Sequence, residues 1–192
     1  MNTFTCIKCI KTSGIETNDG RQHEFDVIIW GTGFESTEFL APLEILGAKG
    51  ADLNTSWQQG AEAYLGITMP KFPNFFMLYG PNTNLGHNSI IFMIECQVNY
   101  IIDAVKTLIS SRAAAMDLKT ERMGEFADYL KSRLRTSVWE RDCDSWYKNE
   151  NGKVTNNWPD FTYVYEEATQ SIDPNDYAFT QLNRSDMTEA AE

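Results

Sequence analysis

The sequence predicts an α/β fold, and three features of the chain support that prediction. Residues 23–30 end in a continuous apolar run at 27–30, which is typical of a strand covered on both faces. Residues 74–79 form a second apolar run, ended by Gly80-Pro81. A long helical pattern follows, so we expect a β–α unit after an initial β-hairpin.

The hairpin is predicted from two strands and the turn between them. Residues 4–16 and 23–30 are interpreted as the strands. Asn18-Asp19-Gly20 is a strong turn signal, because Asp-Gly accepts the positive φ that a tight turn requires. Residues 35–65 are mixed in character and are interpreted as short turns in a connecting segment.

A long helix is predicted over 89–109, because apolar residues recur there at steps of three and four. Asn88 or Ser89 is a suitable N-cap. The predicted inward face consists of Ile90, Ile94, Val98, Ile101, Val105 and Leu108.

A second helix is predicted over about 120–136, with Thr120 as its cap. Its predicted inward residues are Met123, Phe126, Leu130 and Leu134. Residues 138–165 are rich in Trp and Tyr but lack periodicity, and we interpret them as an ordered lobe of loops. The polar, acidic residues 184–192 are predicted to form a flexible tail.

Composition excludes several classes of partner. The chain has 192 residues with 16 Lys and Arg against 27 Asp and Glu, a net charge of −11. An acidic surface repels nucleic acid and anionic lipid, so neither is expected as a partner. No apolar run approaches the roughly 20 residues of a membrane helix. The start, Met1 to Thr5, lacks the pattern of a signal peptide, and a cytoplasmic location is expected.

The four cysteines do not indicate a metal site. Cys6-x-x-Cys9 lacks the second pair that a structural zinc site needs, and Cys96 and Cys143 stand apart. We expect free thiols. The sequence also shows no Ser/His/Asp set and no phosphate-binding loop, so no catalytic residue is assigned.

Gly31-Thr32-Gly33 follows an apolar strand and invites comparison with the dinucleotide fingerprint G-x-G-x-x-G. Ser36 occupies the third glycine position and Pro42 interrupts the helix that should follow, so the fingerprint is rejected. Small residues here allow a cofactor or another chain to approach closely. From local sequence alone, an ordinary turn is favoured.

The loop of residues 82–89 precedes the long helix, whose N-terminus presents free N–H groups and a partial positive charge. An electron-rich group is favoured there, and the Asn-rich loop with His87 suits a flat polar ligand. By itself, His87 is better explained by packing. The aromatic cluster of Trp139, Trp146, Tyr147 and Trp158 is likewise better explained as a small hydrophobic core than as a lid.

Taken together, these segments resemble the flavin-containing and Baeyer–Villiger monooxygenases. Residues 26–34 are similar to the strand D-V-I-I-x-A-T-G-F of that family. Residues 57–68 and 72–81 resemble its segment W-x-x-G-x-x-x-Y-L-G … F-P-N-L-F-M-x-x-G-P. Residues 88–98 match the start of its FAD-domain helix, and residues 145–153 resemble its C-terminal loop S-W-Y … G-K. The matches stay in register from about residue 5 to 165.

The resemblance implies the C-terminal part of a Rossmann-like FAD domain with a helical and loop-rich C-terminal lobe. The implied divisions are strands of the dinucleotide-binding region at 1–34, a connecting segment at 35–65, the last β–α unit of the FAD domain at 66–112, the C-terminal lobe at 113–183 and the tail at 184–192.

The resemblance also implies an enzyme that uses FAD, NADPH and O2 to insert an oxygen atom beside a ketone carbonyl. By position, Gly31, Thr32 and Gly33 would lie beside the flavin nucleotide. The residues expected to line the isoalloxazine and the substrate space are Leu85, Gly86, His87, Asn88 and Ser89. Trp146 would contact the nicotinamide cofactor.

Departures from the family pattern limit what this chain is expected to do. Gly31 replaces the usual Ala, and residues 148–151 differ from the usual Leu-Gly-x-Asn. The two G-x-G-x-x-G fingerprints, the F-x-G-x-x-x-H-x-x-x-W-P/D signature and the catalytic arginine of the family are not in these residues. We therefore expect no activity and no tight cofactor binding by this chain alone. Its strands are expected to be exposed and to self-associate. The alternative is a non-catalytic binding or assembly module derived from that fold.

Overall fold

The computed structural model describes residues 6–31, 33, 35–140 and 147–182. The chain divides into two compact units, Met1–Phe34 and Glu35–Glu192. The first contains a three-stranded antiparallel sheet and the second a two-stranded one.

The first unit is a β-meander of β1 (Ile7–Lys11), β2 (Gly14–Thr17) and β3 (Gln22–Glu24). The turn predicted at 18–20 is present, with Gly20 at φ 83° and its N–H donating to Thr17 O over 2.9 Å. The predicted single strand 4–16 is instead two strands. Gly14 makes the return possible, because a Cβ there would lie 2.0 Å from His23 O on β3.

The prediction of a strand covered on both faces at 23–30 is wrong in this structure. β3 ends at Glu24, and Phe25 N still donates to Ser13 O over 3.1 Å. Residues 26–31 have no strand beside them among the described residues. Without a partner for its backbone groups an extended run is not a strand. Val27, Ile29 and Trp30 are consequently exposed.

The second unit carries the helices and the second sheet. Its elements are α1 (Leu53–Ser56), α2 (Ile90–Ser111), β4 (Ala113–Leu118), α3 (Thr120–Leu134), α4 (Thr162–Ala168) and β5 (Tyr177–Gln181). Short 3-10 turns lie at Ala48–Gly50, Val138–Glu140 and Pro174–Asp176. β4 and β5 pair antiparallel, with Met116 opposite Phe179. The sequence predicted neither of these strands nor α4.

The predicted long helix is present as α2, with Ser89 as N-cap and a left-handed Arg112 at its end. Its predicted inward face is only partly correct. The buried residues are Met93, Cys96, Gln97, Tyr100 and Ala104. Apolar residues occupy most of the circumference of α2. The face predicted from periodicity therefore falls between two apolar sides of the helix, and only one of these sides is packed against the core.

The predicted strand at 74–79 is not formed. Asn74 adopts φ 58°, and its N–H donates to Met116 O while its side chain bonds the backbone at Ala114 and Met116. Further along, Met77 N–H donates to Ile67 O. The backbone N–H groups of Asn74 and Met77 are therefore hydrogen-bonded to β4 and to a loop residue, respectively.

The second predicted helix is confirmed as α3, although Lys119 and not Thr120 is its N-cap. Phe126, Leu130 and Leu134 are buried as predicted, and Met123 packs half-buried against the same core. The cap differs from the prediction by one position, because the end turns of a helix are less sharply defined than its interior.

Aromatic side chains of α2, α4 and the preceding loop form the centre of the core. Trp158 and Tyr165 are fully buried, with ring centroids 5.0 Å apart and an edge-on arrangement. Trp158 is thus a packing residue, but it lies in the main core and not in the separate small core that was predicted. Its indole N–H donates to Phe161 O, three residues away. Trp139 contacts Tyr147 at 6.4 Å.

Within the described ranges, no helix is long and apolar enough to cross a membrane. The same residues contain no cluster of His, Cys, Asp and Glu suited to a metal ion. Cys6 and Cys9 are free and exposed, whereas Cys96 is free and buried. Burial raises the pKa of the Cys96 thiol, which keeps it protonated and unreactive.

Candidate functional site

The loop before α2 ends in four exposed residues at the start of the helix. Leu85 is buried and anchors this loop, while Gly86, His87, Asn88 and Ser89 are exposed. Of the predicted residues 85–89, four form one surface segment at 86–89, whereas Leu85 lies in the core beneath them. A Cβ at Gly86 would meet no atom within 4 Å, so the space beside the loop is open.

The first turn of α2 keeps its N–H groups available. Ser89 makes no side-chain capping bond. The Asn88 side chain accepts a bond from Ser89 N (2.8 Å) and donates to Thr162 Oγ1 (3.2 Å), which fixes the loop without covering the helix end. A helix of 22 residues places a partial positive charge there. His87 has no hydrogen-bond partner among the described residues.

The base of this loop is held by main-chain bonds to residues 154–158. Asn82 N donates to Thr155 O (2.7 Å) and Asn84 N donates to Asn156 O (2.9 Å). Trp158 N returns a bond to Asn84 O (2.9 Å). Asn84 and its neighbours thus form a short parallel ladder with the segment that enters the core at Trp158.

Asparagine side chains reinforce the same connection. Asn82 Nδ2 donates to Val154 O (3.1 Å) and to Asn157 O (3.2 Å), and Asn84 Nδ2 donates to Asn157 Oδ1 (2.7 Å). Asn157 is fully buried, and its Nδ2 has no partner among the described residues. The loop and the 154–158 segment are therefore joined by both main-chain and side-chain hydrogen bonds.

The same segment is continuous with the turn that follows residue 146. Lys148 and Val154 form an antiparallel bridge, and Asn149 N donates to Lys153 O over 3.0 Å. The candidate nicotinamide-contacting residue, Trp146, lies outside the described residues. The chain on its C-terminal side is nevertheless tied, through Val154, to the loop before α2.

A buried polar bridge fixes the first turns of α2. Gln97 Oε1 accepts from Tyr79 N (2.8 Å), and Gln97 Nε2 donates to Tyr165 OH (2.9 Å). Tyr165 OH in turn donates to Leu65 O (2.5 Å). Burial raises the pKa of Tyr165, so its hydroxyl stays protonated and can donate.

Sequence reasoning missed Asn82, Gln97 and Asn157, which position the loop without facing its open side. One signal was available for Gln97, which is a long polar residue at a helical position between apolar neighbours. A polar side chain buried at such a position needs a partner. For Asn82 and Asn157 the partners are more than 70 residues away, and no local pattern marks them.

The other predicted cofactor residues belong to the first unit or are not described. Gly31 and Gly33 are exposed, Gly33 has φ 78°, and a Cβ at either would meet nothing within 4 Å. Thr32 lies outside the described residues. The backbone at Gly33 favours glycine for its conformation, and no close packing at either position requires it.

These residues fit one edge of a cofactor and not its phosphates. Exposed N–H groups at the start of α2 and the open space at Gly86 suit an electron-rich planar edge. The sequence contains no G-x-G-x-x-G loop to cradle a pyrophosphate. The segment 86–89 therefore offers an open surface with exposed hydrogen-bond donors.

Comparison with known proteins shows close relatives over most of this chain. It is 38% identical over 176 residues to a Baeyer–Villiger monooxygenase of Pseudomonas aeruginosa, covering 91% of this chain and 33% of that protein. An FAD-binding monooxygenase of Aspergillus niger is 39% identical over 171 residues, or 86% of this chain and 28% of that protein. No protein-family profile matches the chain.

Solved structures agree with these relatives. An oxidized steroid monooxygenase bound to NADP superposes with a TM-score of 0.73 at 28% identity, over 93% of this chain and 34% of that one. A cyclohexanone monooxygenase from Rhodococcus sp. Phi1 bound to NADP+ gives the same TM-score at 25% identity, again over 93% and 34%. The α/β fold predicted from the sequence is thus that of flavin monooxygenases.

The chain spans about a third of the length of the curated relatives that it matches, and the matches run through both units. It belongs to the Baeyer–Villiger monooxygenase family and corresponds to a C-terminal portion of that family's chain.

Proposed function

We propose that this chain is part of an FAD- and NADPH-dependent monooxygenase that inserts one oxygen atom from O2 into a ketone, and that it is inactive alone. The observation that carries the proposal is the 38% identity to a Baeyer–Villiger monooxygenase over 91% of the chain. The exposed start of α2 supports it, because the structure leaves helix N–H groups and open space at 86–89. We further propose a cytoplasmic location.

FAD, when bound, supplies the oxygen-activating chemistry. The residues of this chain supply binding and shape. The N–H groups at the start of α2 favour negative charge on an adjacent ring edge. Leu85, Gly86, His87, Asn88 and Ser89 line the isoalloxazine and substrate space. We propose that residues 66–112, with α2 as the helix, correspond to the last β–α unit of a Rossmann-like FAD domain, although residues 74–79 form no strand in this structure.

The remaining assigned positions are proposed to contact other parts of the cofactors. Gly31, Thr32 and Gly33 lie beside the flavin nucleotide, and Trp146 contacts the nicotinamide. Because the 154–158 segment is bonded to Asn82 and Asn84, the turn after Trp146 and the flavin-facing loop share one support. Neither cofactor is bound tightly by this chain alone, since the phosphate-binding fingerprints are absent from its sequence.

A direct assay tests inactivity. Purified chain is mixed with FAD, NADPH and a ketone such as cyclohexanone, and NADPH oxidation is followed against a control without protein. We expect no difference, and turnover above the control would refute the proposal. Flavin absorbance that stays with the protein through gel filtration would show cofactor binding by the chain itself.

His87 is proposed to shape the substrate space and not to transfer a proton. Its side chain is exposed and has no hydrogen-bonding partner among the described residues to orient it as an acid or base. The test is His87→Leu in a protein that joins this chain to the rest of a family member. Retained FAD with a changed ketone preference is expected. Loss of FAD with unchanged preference would assign the loop to another ligand.

We also propose that the free chain self-associates through residues 23–30 or 74–79. Phe25, Val27, Ile29, Leu78 and Tyr79 are exposed, and such apolar surface favours association. Analytical ultracentrifugation measures the outcome. A monomer at all concentrations would contradict it.

A second candidate is a non-catalytic binding or assembly module. It is favoured by one sequence observation, which is that this chain holds the shape of the family without its fingerprints or catalytic arginine. An adjoining reading frame that encodes those motifs would support the enzyme. Its absence, together with a colourless purified protein, would support the module.

A further inference from the structure

A cleft of about 400 Å³ lies between α3 and α4, and none of the residues 82–89 lines it. Its α3 wall includes Arg122, Glu125 and Tyr129, and its α4 wall includes Val164, Glu167 and Ala168. Spacings of three and four residues place each set on one side of its helix. The volume falls within the range of small-molecule sites, roughly 300–1,000 Å³.

Four aromatic rings form a continuous row along this cleft. The ring centroids of Tyr64 and Phe126 are 5.2 Å apart, those of Phe126 and Tyr129 are 6.1 Å apart, and those of Tyr129 and Trp158 are 6.2 Å apart. An aromatic face carries partial negative charge and attracts a cation within about 6 Å. One such contact is already present, since the Arg122 guanidinium lies 5.0 Å from the centroid of the Tyr64 ring.

The hydrogen-bond donors of the aromatic row are used within the protein. Tyr64 OH donates to Asp176 Oδ2 over 3.2 Å, and Tyr129 OH donates to Asp160 Oδ2 over 3.0 Å. The indole N–H of Trp158 donates to a main-chain carbonyl over 3.2 Å. A ligand in the cleft therefore meets mainly ring faces and oxygen atoms that accept hydrogen bonds, which suits a ligand that carries positive charge.

The charged side chains of the cleft add to this preference. Arg122 is bonded to both Glu125 (3.0 Å) and Asp176 (3.1 Å), so its positive charge is already compensated. Glu167 is exposed and has no ion-pair partner among the described residues. Three carboxylates thus accompany one guanidinium, and their field favours a cation over an anion or a neutral molecule.

We propose that this cleft binds a small organic cation of the alkylated ammonium class, with its charged group against the aromatic row and Glu167. A metal ion is a poorer match, because the described residues contain no group of three or more His, Cys, Asp and Glu side chains suited to one. The cleft shares no residue with the loop before α2, so this site is independent of the proposed monooxygenase function and its test needs no flavin.

Calorimetric titration of the purified chain with choline tests the site. The matched control ligand is 3,3-dimethyl-1-butanol, which has the shape of choline without its charge. We expect choline to bind about fivefold or more tightly than the alcohol, because only the cation gains from the ring faces and from Glu167. Added salt should weaken the binding of choline and leave that of the alcohol unchanged.

Three variants locate the binding. Ala168→Arg fills the cleft with a long cationic side chain from an exposed position and should abolish choline binding. Glu167→Gln should weaken it about threefold, as expected for a partly solvated charge. Glu166→Gln is the matched control, because Glu166 is exposed, adjacent in sequence and not part of the lining, and it should bind as the parent does. Far-UV circular dichroism checks that each variant is folded.

Several results would overturn the proposal. Equal affinities for choline and the alcohol would show an apolar site without preference for charge. Equal losses from the Glu167 and Glu166 variants would show general attraction to an acidic surface, and retained binding in Ala168→Arg would place the cation elsewhere. Absence of choline binding at millimolar concentrations would also contradict the site. If Ala168→Arg does not fold, Glu167→Lys takes its place with the same expectation, since Glu167 is exposed.

Discussion

The two apolar sides of α2 have similar side chains and opposite surroundings. On one side Met93 and Ala104 are fully buried, while on the other Ile91 and Ile109 are mostly exposed. The same contrast holds between two tryptophans, since Trp158 is 1% exposed and Trp30 is 64% exposed. Hydrophobicity determines how strongly a side chain favours burial. The side chain contributes to stability only where a packing partner removes it from water.

The largest expected effect separates the two tryptophans. Trp158→Ala removes a fully buried ring that packs against Tyr165, and we expect it to lower the free energy of unfolding by about 3–5 kcal/mol. Trp30→Ala should change it by less than about 0.5 kcal/mol. Urea titration followed by far-UV circular dichroism measures both.

Equal losses from the two substitutions would show that Trp30 is covered in solution, by another copy or by the rest of the chain. A Trp158→Phe variant serves as a further control. It keeps most of the ring volume and should recover much of the loss.

A smaller effect is expected at Gln97, the polar residue on the covered side of α2. Gln97→Ala leaves Tyr79 N without its acceptor and opens space beside Tyr165, so we expect a loss of about 2–3 kcal/mol. Asn99→Ala is the matched control at an exposed position of the same helix and should be neutral or stabilising by up to about 0.5 kcal/mol, because alanine is the better helix former. If Gln97→Ala costs no more than Asn99→Ala, water replaces the bridge and this side is less closed than the structure shows.

An acid-dependent contribution is expected from Asp160, which joins α3 to the start of α4. Arg133 holds this carboxylate through two bonds of 2.6 and 2.8 Å, and Tyr129 donates a third. The Arg133 guanidinium, against the cost of burial, lowers the pKa of Asp160 below its ordinary value. The contribution to stability is therefore present above the ordinary pKa and is lost as pH falls through the lowered one.

Asp160→Asn should cost about 1–2 kcal/mol at pH 7, because Arg133 is half-exposed and its pairing is screened by solvent. The difference between parent and variant should shrink as the solution is acidified below the ordinary aspartate pKa of about 4. Urea midpoints at several pH values measure it, with the exposed Glu167→Gln as control. A difference independent of pH would mean that Asp160 acts by shape and not by charge.

Local signals in the sequence were sufficient for the turn at 18–20, for α2 and for α3. Each depends on residues within one or two turns of the chain, such as Asp19-Gly20 or the steps of three and four in α2. The loop at 85–89 was found in the same way, from a helix start that follows an Asn-rich segment.

Features that depend on distant partners could not be predicted. Strand β4 pairs with β5 some 60 residues later, and neither has a strong pattern of its own. Residues 27–30 have the composition of a buried strand but are exposed. The bonds from Asn82 and Asn84 to Asn157 likewise join positions that no spacing rule connects. In each case the sequence does not reveal which distant segment covers or pairs with these residues, because periodicity carries no information about distant partners.

The smallest expected effect has a sign that decides whether the exposed apolar side of α2, which consists of Ile91, Val98, Ile102, Val105 and Ile109, is covered in solution. Val105→Ala on an uncovered helix surface exchanges a β-branched residue for the best helix former, and we expect a gain of about 0.5 kcal/mol. On a covered surface the same change would remove buried methyl groups and cost about 1 kcal/mol or more. Urea unfolding of the isolated chain at two protein concentrations should show the gain at both, because self-association is expected elsewhere. A loss in the isolated chain that grows with concentration would instead place a second copy on this face.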